Sequence, residues 1–274
     1  MLSLHTSILL VVINLFVSYK GFKDSFFLER YQFKIDAILL QKDYKRLITS
    51  GFLHVNWMHL LFNVFVLWTF GSSIEAQIGT PQFLLVYFLA LIGGNMLALF
   101  VHRYDGSYSS VGASGAIMGV IFSAIAITSG MSISIFILPA IPGWLFGLAY
   151  VIISIYGIRS RTDNIGHDNH LGGGLAGMLI GIMLYPESLV NNTFTILIIT
   201  VPAIAFILFI VYKPAALLVD NVFYKQQDLT IEDKYNISKL NKQKELDRLL
   251  EKIHKRGIES LSKKEKEALK EYSK

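Results

Sequence analysis

The chain has 274 residues, of which 53% are hydrophobic and 16% charged, and its mean hydropathy is +0.50. Soluble domains carry about 25% charged residues, so this composition argues against a water-soluble protein. The net charge is +5, but the sequence has no basic stripe interleaved with aromatic residues. This pattern argues against nucleic-acid binding. Residues 225–274 hold 24 of the charged side chains, so an apolar body precedes a polar tail.

Seven apolar stretches reach the length of about 17–25 residues that a membrane-spanning helix needs. They cover residues 2–19, 55–71, 83–101, 111–130, 133–158, 171–189 and 194–212. We therefore expect an all-α, multi-pass membrane protein. Residues 1–190 would form a six-helix bundle, residues 191–214 an additional transmembrane helix, and residues 215–274 a charged helical tail.

The connections between these stretches differ in length. Residues 20–54 alternate charged and apolar positions, which favours a loop folded against the membrane surface. The other connections are short, so neighbouring helices should pack antiparallel in one bundle. The chain has no cysteine, which excludes disulfides.

The tail contains two helical patterns. Leucines from Leu240 onward recur at helical spacing up to Ile253, and Ser262 followed by Glu265 forms a capping box. The pattern fits a small helical hairpin, or a module that docks a protein partner or the membrane surface.

Polar residues at the starts of three predicted spans are the candidate functional residues. Placing such residues inside a membrane costs free energy, so they usually have a function there. They are His54, His59, Asn63, Ser114 and His170. The second, fourth and sixth spans run in the same direction, so their starting residues lie at the same membrane edge. A glycine stripe follows His170, at Gly173, Gly177 and Gly181, and should bring the sixth helix close to the fourth.

This convergence is compatible with three interpretations. His170 could take the proton of Ser114 and make it a nucleophile, with His59 and Asn63 donating to an oxyanion. The histidines could bind a metal, although Asp168 is the one nearby carboxylate and cysteine is absent. They could also simply form interhelical hydrogen bonds. We expect neither a metal nor a cofactor.

Residues 1–190 resemble the rhomboid family of intramembrane serine proteases. The resemblance rests on five motifs in order: the loop segment ending at His54, the His59/Asn63 pair, Gly71-x3-Glu75, Gly112-Ala113-Ser114-Gly115 and His170-x2-Gly173-x3-Gly177.

The resemblance implies that Ser114 is the nucleophile and His170 the base. His59, Asn63 and the Ser114 backbone N–H would be oxyanion donors, His54 would be a supporting residue at the pocket rim, and Gly112 would belong to the pocket. The substrates would be transmembrane segments of other proteins in the cell (inner) membrane. A catalytically silent relative that binds transmembrane helices is the alternative.

Three features depart from the family pattern. Lys45-Arg46 replaces the usual Trp-Arg of the first loop, and Met118 replaces an aromatic residue that stacks on the base in some members. The seventh span and the tail lie outside the family core. Two criteria for orientation disagree: the positive-inside rule places the first loop in the cytoplasm, whereas the resemblance places the active-site edge away from the cytoplasm. We follow the resemblance for the side of the active site, because the first loop is partly embedded.

Overall fold

Helices make up nearly all of the regular structure in this computed structural model, which describes residues 6–134, 139–160, 163, 165–213, 252–253 and 262. The chain divides into two compact units, Met1–Leu217 and Leu218–Lys274. The helices and the site described below belong to the first unit. The predicted helices of the tail lie almost entirely outside the described residues.

The described elements fall into long spanning helices, short helices in the connections and two-residue strands. The helices are α1 Thr6–Lys23, α2 Ser25–Tyr31, α3 Ile35–Leu39, α4 Arg46–Thr49, α5 Trp57–Val66, α6 Ser72–Ile78, α7 Thr80–Val101, α8 Ser114–Ile127, α9 Gly143–Ser160, α10 His167–Leu184, α11 Ser188–Asn191 and α12 Thr193–Tyr212. A 3₁₀ turn covers Ser50–Phe52, and a π-helical turn, Leu67–Gly71, joins α5 to α6. The strand pairs are β1 Phe33–Lys34 with β2 Ser109–Ser110, and β3 Ser132–Ile133 with β4 Ile141–Pro142.

The expected all-α, multi-pass fold is confirmed. In the described part, five helical segments are long and apolar enough to cross a membrane: α1, the continuous segment Trp57–Ile78, α7, α9 and α12. Two further helices complete the predicted set, α8 with 14 residues and α10 with 18. These two are shorter or more polar than the others, and they pack against each other and against α7 inside the bundle.

The fifth predicted span begins in the wrong place. The sequence suggested a helix from residue 133, but α9 starts at Gly143, and Ile133 pairs instead with Ile141 in the β3–β4 hairpin. Pro139 and Pro142 account for the difference, because proline lacks an N–H and disfavours helical geometry in the residue before it.

Helix α10 lies at the centre of the bundle and packs against α7 and α8. Its glycine stripe makes this possible: a Cβ added to Gly173 or Gly177 would overlap the backbone of Gly115 or Gly119 on α8. Every residue from Gly115 to Ala126 of α8 is buried. The close contact between α8 and α10 predicted from the glycines is therefore present.

The first connection is folded, and Arg46 holds it together. This side chain is 8% exposed. Its Nη1 donates to the carbonyl oxygens of Glu29 and Gln32 at 2.7 and 2.8 Å, and its Nε donates to Asp43 at 3.0 Å. Lys45, where the family pattern has tryptophan, lies on the surface and pairs with Asp43.

The folded loop also holds the segment that leads into α8. Phe33 is fully buried and pairs with Ser110 in the β1–β2 ladder. The backbone N–H of Gly112 donates to the carbonyl of Ser50 at 3.0 Å. Two contacts with the first loop therefore fix the chain immediately before Ser114.

Glu75 ties the first helix to the second spanning segment. Its carboxylate accepts hydrogen bonds from the backbone N–H groups of Thr6 and Ser7, both at 2.8 Å, and from the Thr80 hydroxyl at 2.7 Å. Free N–H groups at a helix start attract a carboxylate, so Glu75 caps α1.

Candidate active site

Ser114 and His170 meet at the starts of α8 and α10. The Nε2 atom of His170 lies 2.6 Å from the Ser114 Oγ, which is hydrogen-bond distance. Ser114 does not cap its helix, because Ala113 occupies the cap position and Ser114 is the first helical residue. Its hydroxyl is therefore available to the imidazole, and this is the geometry that lets a base activate a serine.

Gly112 makes room for His59 beside the serine. Its φ of +139° is a conformation that residues with a side chain rarely adopt. A Cβ on Gly112 would lie 3.0 Å from the His59 Nε2 and 3.5 Å from the Ser114 Oγ. The imidazole of His59 and the serine hydroxyl thus approach the same point, which a larger residue would occupy.

Asn63 lies one helical turn after His59 on α5. Its side-chain nitrogen donates to the His59 carbonyl oxygen at 2.8 Å, and the residue is 4% exposed. Asn56 caps the same helix by accepting from the His59 N–H at 2.8 Å. These hydrogen bonds fix the first turn of α5 and hold both candidate donors against the cavity.

His54 lies behind His59 and outside the cavity. It is fully buried, its ring packs edge-on to that of His59 with centroids 4.8 Å apart, and its Nδ1 is 2.8 Å from the Ser18 hydroxyl. His54 therefore lies against His59 on the side of α1 and not among the residues that line the cavity, and its supporting role stays a prediction.

These residues open onto a cavity of about 1170 Å³. His59, Asn63, Ser114 and His170 are among the residues that line it. The rest is mostly apolar and comes from α5, α8 and α9, with Phe62, Val66, Ile117, Ile121, Phe146 and Ile153 among its members. A mostly apolar cavity with a few polar groups suits a segment of a hydrophobic peptide.

Tyr150 on α9 is a site residue that sequence reasoning missed. Its hydroxyl lies 2.8 Å from the Nδ1 of His170, on the opposite side of the imidazole from Ser114. Nothing in the sequence marks it, because α9 carries other aromatic residues at similar spacing.

A chain of buried amides beside the site was also missed. Asn169 donates to the Asn95 side-chain oxygen at 2.7 Å, and Asn95 donates to the carbonyl of Leu47 at 2.8 Å. These bonds join α10, α7 and the first loop. A lone asparagine in the apolar stretch of α7 was the signal that could have identified the network.

The nearby carboxylates are engaged by other histidines. Asp168 pairs with His102 at 2.6 Å, and Asp163 lies 3.1 Å from the His167 Nε2. Although partial burial opposes it, hydrogen bonds from His167 and the Ile165 amide hold the pKa of the Asp163 carboxyl below its usual range. No cluster of three or more possible metal ligands occurs among the described residues.

Two family models match the chain. The Rhomboid domain matches residues 41–187, which include every candidate site residue. A family of unknown function (DUF6576) matches residues 229–274, the charged tail.

Curated proteins from a fungus, a bacterium and a plant are similar to more than half of the chain. Rhomboid protein 1, mitochondrial, of Saccharomyces cerevisiae is 33% identical over 57% of this chain and 45% of its own length. Rhomboid protease GluP of Bacillus subtilis is 32% identical over 55% of this chain and 28% of its own. RHOMBOID-like protein 12, mitochondrial, of Arabidopsis thaliana is 29% identical over 60% of this chain and 54% of its own length. The matched region thus spans between about a quarter and about half of the length of these relatives.

Proposed function

The chain belongs to the rhomboid family, and on that premise we propose that it is an intramembrane serine endopeptidase that cleaves transmembrane segments of other membrane proteins. The 2.6 Å contact between the Ser114 Oγ and the His170 Nε2 is the observation that carries the proposal. A catalytically silent relative would need neither group, and here the two are in hydrogen-bond contact at a cavity.

In the proposed reaction, Ser114 attacks the carbonyl carbon of the scissile peptide bond while His170 takes its proton. The oxyanion that forms accepts hydrogen bonds from His59, Asn63 and the Ser114 backbone N–H. His170 then gives the proton to the leaving amine, and water hydrolyses the acyl-enzyme by the same route. The apolar groove next to the dyad would hold the hydrophobic substrate.

A multi-pass protein with this cavity meets its substrates in the bilayer. We propose the inner membrane of a bacterial cell as its location, supported by the similarity to the Bacillus subtilis protease; membrane fractionation of cells expressing the chain tests this. The tail is similar to a family of unknown function. We propose that the tail docks a protein partner.

Labelling with a fluorophosphonate probe tests the proposed activity. We expect the wild type to be labelled and to cleave a model transmembrane substrate in proteoliposomes, and Ser114→Ala to do neither while keeping the wild-type thermal unfolding in detergent. Ser107→Ala is the matched control, because this exposed serine pairs with Asp105 away from the cavity. Equal labelling of wild type and Ser114→Ala would refute the proposal.

A further inference from the structure

Both nitrogens of the His170 imidazole are in hydrogen-bond contact. Nε2 is 2.6 Å from the Ser114 Oγ, and Nδ1 is 2.8 Å from the Tyr150 hydroxyl. A neutral imidazole donates from one nitrogen and accepts at the other. The group that accepts a hydrogen bond from Nδ1–H therefore determines whether Nε2 is free to accept a hydrogen bond from the serine.

A carboxylate usually serves this purpose in serine hydrolases. Here the two carboxylates closest to His170 along the chain have other partners, since Asp168 pairs with His102 and Asp163 with His167. Within the described residues, the partner of the His170 Nδ1 is the Tyr150 phenol.

We propose that Tyr150 is the positioning residue of the base. Its oxygen accepts a hydrogen bond from the Nδ1–H group, which fixes the tautomer in which Nε2 accepts from Ser114. When the Ser114 O–H bond breaks and a bond from Nε2 to hydrogen forms, both imidazole nitrogens carry protons, and Tyr150 satisfies the second one. The Nδ1 proton and the tyrosine proton stay where they are throughout. This inference rests on the proposed function.

The surroundings of Tyr150 hold its ring in place. Phe146 stacks on it with centroids 5.7 Å apart, and Phe122 of α8 meets it edge-on at 6.1 Å. Gly157, two turns further along α9, lies so close to His167 that a Cβ there would overlap the imidazole. The close approach of α9 to α10 brings the phenol within reach of the base.

The contact between Tyr150 and His170 also explains how the base keeps an aromatic neighbour although position 118 is a methionine. Four residues after the serine, this side chain contributes no aromatic ring to the base. Tyr150 does so from a different helix, with its ring centroid 6.0 Å from that of His170. One residue on α9 therefore supplies both an aromatic contact and a hydrogen-bond acceptor.

Tyr150→Phe tests the proposal, because it removes the acceptor and keeps the ring. An Nδ1 proton left without a partner in a buried site should lower kcat and the rate of fluorophosphonate labelling by roughly ten- to a hundredfold. KM for the transmembrane substrate should be unchanged, since the loss falls on the transition state. Tyr156→Phe is the control; this tyrosine on the same helix is 69% exposed, and its variant should match the wild type.

A spectroscopic measurement separates positioning from a purely structural role. In protein labelled with ¹⁵N-histidine, we expect a low-field Nδ1–H proton resonance that disappears in His170→Ala and in Tyr150→Phe and persists in Ser114→Ala. The inference is overturned if the wild type lacks this resonance, or if Tyr150→Phe keeps it together with the wild-type kcat.

This design distinguishes the two proposals. If the wild type shows no labelling that depends on Ser114, the protease assignment fails, and the resonance still decides whether Tyr150 accepts from His170. If Tyr150→Phe does not fold in detergent, the resonance in the wild type and in Ser114→Ala decides alone. Its absence there rejects the positioning role.

Discussion

The candidate site depends on small differences at single residues. Ser114 would be an ordinary helix cap if it preceded α8 by one position, but Ala113 takes that place. Gly112 is needed because it has no side chain, since a Cβ at this position would displace the His59 ring. Local backbone geometry thus places the hydroxyl of a common residue type beside an imidazole at the cavity wall.

Asn63→Ala should lower kcat without preventing labelling of Ser114. Removing one oxyanion donor typically costs about 10²–10³ in rate, because the developing charge loses a preorganised hydrogen bond. Substrate cleavage in proteoliposomes measures the loss, with Leu61→Ala, on the exposed side of the same helix, as the control. A fully active Asn63→Ala would remove this residue from the proposed oxyanion pocket.

At this scale the sequence predicts some positions and misses others, for physical reasons. His59, Asn63, Ser114 and His170 are recognisable because polar residues at the starts of parallel spans have to meet. Tyr150 and the depth of His54 are not, since both depend on how neighbouring rings pack around the imidazoles. Side-chain packing of this kind leaves no periodic signal in the chain.

Among the elements, the contact between α8 and α10 determines whether the dyad forms. Each helix contributes one of the two groups that we propose react, and the glycine stripe brings the two helices together. This contact was predictable because residues at a spacing of four lie on one helix face. The start of α9 was not, because an apolar run can form a hairpin as readily as a helix.

Gly177→Ala should destabilise the protein even though alanine favours helices more than glycine does. The added methyl group overlaps the Gly119 backbone, and overpacking of this kind costs about 1–3 kcal/mol. Thermal unfolding in detergent measures the effect. Leu179→Ala, on the exposed face of the same helix, should unfold within a few degrees of the wild type. An unchanged unfolding temperature for Gly177→Ala would mean that the helices are further apart than described.

Arg46→Ala should loosen the first loop. It leaves the carbonyl groups of Glu29 and Gln32 without this donor, at a cost of about 1–3 kcal/mol for each one that stays buried and unsatisfied, and it leaves Asp43 with Lys45 as its remaining partner. Hydrogen exchange measured by mass spectrometry should show faster exchange between Glu29 and Arg46. The neighbouring Lys45→Ala removes a surface ion pair worth about 0–1 kcal/mol and should exchange like the wild type. Equal exchange in both variants would contradict the anchoring role of Arg46.

For the whole molecule, hydropathy was enough to predict a multi-pass helical bundle, since few water-soluble chains carry so many apolar stretches. The cavity was not predictable, because its wall combines side chains from α5, α8 and α9 that are far apart in sequence. The family assignment was accessible because its motifs coincide with the starts of spans, where polar residues are conspicuous against an apolar background.

Helix α8 has 14 residues and is enclosed by its neighbours. At 1.5 Å per residue it measures about 21 Å, which is less than the roughly 30 Å of hydrocarbon in a bilayer. A helix that lipid does not surround has no need to match the thickness of the membrane. In the proposed protease, this shortfall would leave Ser114 below the level of the headgroups, and water would reach the scissile bond through the protein and not through the hydrocarbon.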